Sequence, residues 1–231
     1  MKILVVAAHP DDELLGCGGT IATLGAAHET HIAILGEGVT SRFDSRSDSD
    51  AAALEKLKSD ARSVGSLLGA RSVDFAGLPD NRFDDLPLLE IVKHVERLVD
   101  RLRPEVIYTH HPGDLNIDHG LTFRAVMTAT RPVAECPVKE IYAFEVASST
   151  EWAFQRIEPA FKPNVFVNIA DTIEIKVEGM AQYETEGRSF PHPRSAEALR
   201  AQARHWGSVV GLEYAEAFEL IRSVRNPRLN S

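Results

Sequence analysis

Apolar residues fall along this chain in two alternating patterns. Residues 2–8, "KILVVAA", form a near-continuous apolar run, which predicts a strand buried on both faces. Residues 30–36, "THIAILG", repeat the pattern, and shorter runs at 72–78, 104–110, 138–144 and 164–169 predict four more strands. Between them, apolar positions recur at helical spacing over 14–27, 47–68, 87–102 and 119–131, and two further helical stretches follow at 171–186 and 195–210. Ser and Asp at 47–50 are capping candidates for the second helix. Residues 145–163 show weak periodicity and are expected to wander over the sheet's edge.

Strand and helix alternate through the first 130 residues, a succession of βαβ units. The expectation is an α/β fold: a Rossmann-like, mostly parallel sheet with helices on both faces, in three layers. At 231 residues, with no repeat, low-complexity segment or clear linker, residues 1–231 are expected to form a single domain. The formal net charge of −9 argues against a nucleic-acid backbone as main partner, since such sites need a basic footprint. No apolar stretch approaches a membrane span, and the N-terminus lacks the basic start and cleavage site of a secretory signal. Cys17 and Cys136 read as free thiols of a reducing compartment, so a cytoplasmic location is expected.

Parallel sheets bind ligands beyond the carboxyl ends of their strands. Four segments end there: "HPDDE" (9–13), "GEGVTSRF" (36–43), "GLPDNRFDD" (77–85) and "HHPGDLNIDH" (110–119). The first and last are dense in metal-ligand residue types. Pro10 restricts His9 to an extended conformation, while the aspartates begin a turn. His9 and Asp12 can then reach one ion, and His119, beginning a helix at the same rim, is the best third ligand. Two histidines and one carboxylate with an open position suit catalytic zinc. Asp11, Asp12 and Glu13 also suit the first turn of a helix, where carboxylates favour the positive dipole end. A cap needs neither His9 nor a second His/Asp cluster, and the two clusters together favour the metal site.

"AHPDDE" followed by "DLNIDH" resembles the LmbE-like, or PIG-L, family of zinc-dependent N-deacetylases. The resemblance implies a Rossmann-like fold and removal of acetyl groups from N-acetylated amino sugars and their glycoconjugates. It implies one zinc per chain, held by His9, Asp12 and His119, with Asp11 as general base and Asp118 as a supporting carboxylate. Zinc lowers the pKa of its bound water toward about 7. Asp11 cannot turn onto the metal together with Asp12, so it is left to accept the water's proton. Related enzymes are frequently homo-oligomers, so the same is expected here.

Many family members carry a histidine three residues before the third ligand, assigned to oxyanion or leaving-group stabilisation. Here that position is Asn116, which donates a hydrogen bond but cannot act as an acid. The substitutes are His192 in "FPHPRS", then His110 or His111, or Asp11 returning the proton it has taken. Arg42 stands where the family often has a substrate-contacting arginine. Asp80 and Asn116 are further candidate substrate contacts, although "PDN" at 80 is also a plain turn signature. Trp152 and Glu151 could line the cleft or simply pack at its edge. "GCGGT" (16–20) lies inside a helix, not at a strand–helix turn, so it predicts close helix–sheet packing and no nicotinamide cofactor.

The sequence thus points to a zinc-dependent amidohydrolase acting on a small N-acetylated sugar or nucleotide derivative, without nucleic-acid or membrane partners. Two rivals stand beside it. A two-metal phosphoesterase would use Asp11 and Asp114 as additional carboxylates. A sugar- or metal-binding protein of weak activity would account for Asn116 but not for Asp11.

Overall fold

The computed structural model describes residues 1–40 and 51–225. Strands β1 (Lys2–Ala7), β2 (Glu29–Gly36), β3 (Ser72–Leu78), β4 (Val106–His110), β5 (Glu140–Phe144), β6 (Val165–Asn168) and β7 (Ala215–Ser223) form one sheet in the order β3-β2-β1-β4-β5-β7-β6. Pairings from β3 through to β5 are parallel, and β7 runs antiparallel to both β5 and β6. Among the described residues six α-helices accompany it: α1 (Asp12–Gly25), α2 (Ala51–Leu67), α3 (Leu88–Leu102), α4 (Ile117–Ala129), α5 (Ile173–Gln182) and α6 (Ala196–Val210).

The unbroken apolar run of β1 is explained by its two buried faces. Ile3, Val5 and Ala7 pack with Leu14, Ile21, Leu57, Val64, Met180 and Leu199, so α1, α2, α5 and α6 cover one face. Leu4, Val6 and Ala8 pack with Ile91, Val95, Ala125 and Val126 of α3 and α4 on the other. The expected three-layer α/β architecture is therefore present. Gly16 permits the closest approach of α1 to the sheet, because a methyl group there would overlap the Phe144 ring. This is the packing role expected of the glycine-rich stretch.

α1 is kinked at Cys17, whose φ of −150° and ψ of 24° are not helical. Around the break, Lys176 Nζ donates to Leu15 O at 2.8 Å, and Glu216 accepts from the N–H groups of Gly19 and Thr20 at 3.0 and 2.7 Å. Lys176 and Glu216 pair with each other at 2.6 Å, both buried. An ion pair thus fills the gap in the i to i−4 ladder.

β7 has no counterpart in the sequence expectation, which assigns nothing beyond residue 210. Its Ala- and Glu-rich composition is poor in strand formers, and it becomes a strand by inserting between β5 and β6. The chain runs outward from β1 through β2 to β3, then returns to place β4 on the other side of β1. The reversal point lies between β1 and β4, where a crevice opens at the carboxyl ends. "HPDDE" and "HHPGDLNIDH" are the loops that follow these two strands. Among the described residues, no helix is long and apolar enough to cross a membrane.

Candidate metal centre and active-site cleft

His9, Asp12 and His119 meet at this crevice, all buried, with one possible ligand atom each within 4.8 Å of the others. Asp12 Oδ2 lies 3.3 Å from both His9 Nδ1 and His119 Nε2. The same oxygen accepts the His9 backbone N–H at 2.7 Å, which fixes the turn after β1. Each imidazole has a carboxylate behind it. His9 Nε2 bonds Asp118 Oδ2 at 3.0 Å and lies 3.2 Å from Asp80 Oδ1, and His119 Nδ1 lies 3.1 Å from Asp114 Oδ1. Such outer carboxylates set the tautomer and orientation of a ligand histidine.

The outer carboxylates are themselves held. Asp118 Oδ1 accepts the Phe83 N–H at 3.0 Å. Asp114 accepts from Thr150 Oγ1 at 2.6 Å, from Ser149 Oγ, and from the Asn116 N–H at 2.9 Å. The segment expected to wander over the sheet's edge therefore supplies the clasp of Asp114.

The charges of the cluster act strongly on one another. Burial alone would lower the pKa of His119, yet Asp12 and Asp114 push it up to about 9. His9 is likewise opposed by burial but raised well above the usual histidine range by Asp118 and Asp12. Burial raises Asp12, but His119 and His110 outweigh it and hold its carboxyl well below the usual range. Asp114, despite burial, is brought down to about 2 by His119, Ser149 and Thr150. Carboxylates that draw protons onto buried imidazoles make a pocket that favours positive charge. The His/Asp donor set and this surplus of negative charge fit a divalent cation.

The cluster lies in a polar cleft of about 210 Å³. Asp11, Asp80, Asn81, Asn116, Ser148, Glu186 and Arg194 are among the other residues of its wall. Asp11 occupies the N-cap position of α1 with φ 99°, and its side chain makes no capping bond. Its Oδ2 instead accepts from Arg194 Nη1 at 2.6 Å. Burial raises the Asp11 carboxyl well above its ordinary range, against the lowering effect of Arg194.

Asn116 caps α4, accepting the Asp118 N–H at 2.9 Å, while its Nδ2 donates to Asn81 Oδ1 at 2.8 Å. His192 is not among the residues lining the cleft. Its Nδ1 accepts the Arg194 N–H at 3.1 Å, and its ring meets Trp152 edge-on with centroids 5.8 Å apart. His110 is fully buried, accepts the Ala8 N–H at 2.8 Å and stacks on His119 at 3.9 Å. His111 is bound between Glu219 and Pro159 O, at 2.9 and 2.7 Å. Arg42 lies outside the described residues.

Sequence reasoning missed Arg194, Glu186 and Ser148. The first was within reach, two positions from His192 in "HPRS". The other two carry no motif.

Known proteins resemble this chain in sequence and in fold. Residues 4–130 match the family model PIG-L, described as GlcNAc-PI de-N-acetylase, and the chain belongs to this hydrolase family. It is 24% identical over 240 residues to the diacetylchitobiose deacetylase of Thermococcus kodakarensis, covering 96% of this chain and 84% of that protein. A solved structure of N,N'-diacetylchitobiose deacetylase from Pyrococcus horikoshii superposes with a TM-score of 0.74 at 19% identity, over 96% of this chain and 84% of that one. The 4-carboxy-2-hydroxymuconate hydratase GalB of Pseudomonas putida superposes with a TM-score of 0.73 at 20% identity, covering 97% and 98%. The same fold thus carries more than one reaction class, and the reaction must be argued from the site.

Proposed function

We propose that the protein is a zinc-dependent hydrolase that removes the N-acetyl group from an N-acetylated amino sugar or its glycoconjugate or nucleotide derivative. One observation carries the reading: two histidines and Asp12 converge in a polar cleft with a second carboxylate, Asp11, in its wall. The family match supports hydrolysis, and the relative from Thermococcus kodakarensis supports a sugar amide as substrate.

His9, Asp12 and His119 would hold the ion, which when bound acidifies water and polarises an amide carbonyl. Asp11 takes the proton of the attacking water and, in the absence of a histidine at position 116, returns it to the departing amine. Asp118 and Asp114 keep the ring nitrogens of His9 and His119 oriented. Asn116 and Asp80, both in the lining of the cleft, serve as hydrogen-bond partners of the substrate. The two-metal phosphoesterase is the weaker reading. The other ligand-type group, His9, Asp80 and Asp118, uses His9 again, and both Asp118 oxygens already serve Phe83 and His9.

Acetate release from N-acetylglucosamine, N,N'-diacetylchitobiose and nucleotide- or lipid-linked N-acetylglucosamine tests the reading on zinc-loaded protein. Metal-dependent release, abolished in Asp11→Asn at unchanged zinc content, is expected. Zinc loss in Asp11→Asn with activity kept by the residual loaded enzyme would sink the base assignment. No acetate from any substrate would overturn the function.

A further inference from the structure

Two neighbouring carboxylates, Asp11 and Asp12, stand beside one candidate cation site, and either could fall onto it. The described structure separates them. Asp12 faces His9 and His119, whereas the Asp11 side chain is turned to Arg194. The backbone of Asp11 is in the left-handed region at φ 99°, which strains a non-glycine residue and persists only where the surroundings impose it.

The last third of the chain supplies those surroundings. Glu13 Oε2 accepts the Asp11 N–H at 3.1 Å, and Glu13 Oε1 accepts from Tyr183 OH at 2.6 Å. Arg194 reaches the carboxylate itself and is anchored on several sides. Its Nη1 bonds Asp11 Oδ2 at 2.6 Å and Glu186 Oε2 at 3.3 Å, and its Nε donates to Ser148 Oγ at 2.8 Å. Its backbone precedes Ser195, which caps α6 by accepting the Ala198 N–H at 3.1 Å. His192 braces that backbone from the other side through the Arg194 N–H. A guanidinium suits this role because its donors diverge in a fixed plane, which an ammonium cannot reproduce.

We infer that Arg194 is the positioning residue that keeps Asp11 beside the His9–Asp12–His119 group and off it, so that Asp12 serves as ligand and Asp11 as base. The salt bridge supplies at Asp11 the counter-charge that a bound metal would supply at Asp12. The inference deepens the proposed function and rests on it for the word base.

The test uses Arg194→Met and Arg194→Lys, loaded with zinc for kinetics and with cobalt(II) as a spectroscopic probe. With Asp11 released, a further oxygen joins the ion, and the visible absorption of cobalt-loaded Arg194→Met weakens as coordination rises above four. Metal content stays at that of wild type. The turnover number kcat falls by about 100-fold or more, with KM within roughly threefold. Arg194→Lys recovers only a small part of kcat. In an Asp11→Asn background, Arg194→Met costs nothing further, as expected of residues acting as a unit.

An unchanged cobalt spectrum overturns the inference, as does an equal loss with and without Asp11. A raised KM at constant kcat overturns it too, by making Arg194 a substrate contact. If wild type releases no acetate from any sugar, the proposed function fails, while the cobalt spectrum still decides where Arg194 holds Asp11. Should Arg194→Met not fold, Arg194→Lys carries the same spectral comparison.

Discussion

Asp118 and His9, 109 positions apart in sequence, are joined by a 3.0 Å bond from the imidazole Nε2 to a carboxylate that is entirely buried. The bond links the first loop of the sheet to the first turn of α4 and leaves Nδ1 of His9 facing Asp12. Asp118 also takes the Phe83 N–H, so it ties three rim segments together.

Asp118→Asn should therefore weaken metal binding without abolishing it. Chelator competition is expected to show an affinity loss of about 10–100-fold, against near-complete loss for His119→Ala. Equal loss in both variants would make Asp118 a direct ligand.

The Lys176–Glu216 pair in the α1 kink predicts a large stability effect. Removing one partner leaves a buried charge, and in Glu216→Ala the Gly19 and Thr20 N–H groups lose their acceptor as well. Urea unfolding of Glu216→Ala or Lys176→Met should show a loss of about 3–5 kcal/mol each. The double variant should lose less than the sum of the two.

Gly16→Ala should destabilise the fold by about 1–3 kcal/mol through overlap with the Phe144 ring. Adding Phe144→Leu should recover part of the loss in thermal melts. A fully stable Gly16→Ala would show that α1 can retreat from the sheet without cost.

Glu145 gives a pH signature. Burial is the main cause that raises its carboxyl to about 7, although the Trp206 Nε1 donor, 2.5 Å away, favours the charged form. An acid whose folded pKa is raised is harder to ionise in the native state than in the unfolded chain. Its penalty is absent below the unfolded value, grows as pH rises from about 4.5 to about 7, and is constant above. Melting curves across this range should fall for wild type relative to Glu145→Gln. The variant should match wild type near about pH 4 and exceed it at about pH 8. Parallel curves would place the titration elsewhere.

Both the strands expected at 2–8 and 30–36 and the helices expected at 87–102 and 195–210 recur in the structure within about two residues at each end. Local information suffices for them: a strand buried on two faces must be apolar throughout, and a helix covering one face must repeat its apolar positions. The His9–Asp12 and Asp118–His119 pairs were legible for a related reason, since a strand end followed by a helix start delivers such residues to one rim by local geometry. What lies behind them was not. Arg194 reaches Asp11 and Tyr183 reaches Glu13 across more than a hundred residues, Glu186 and Ser148 hold Arg194 in place, and no period or spacing encodes that approach. The sequence by itself determined the parallel core and the chemistry delivered to its rim, because strand and helix periodicity are local properties. Only the tertiary structure decided that β7 inserts between β5 and β6, and that Arg194 and not His192 enters the cleft. Those outcomes depend on which sequence-distant backbone or side chain the fold brings within hydrogen-bonding distance.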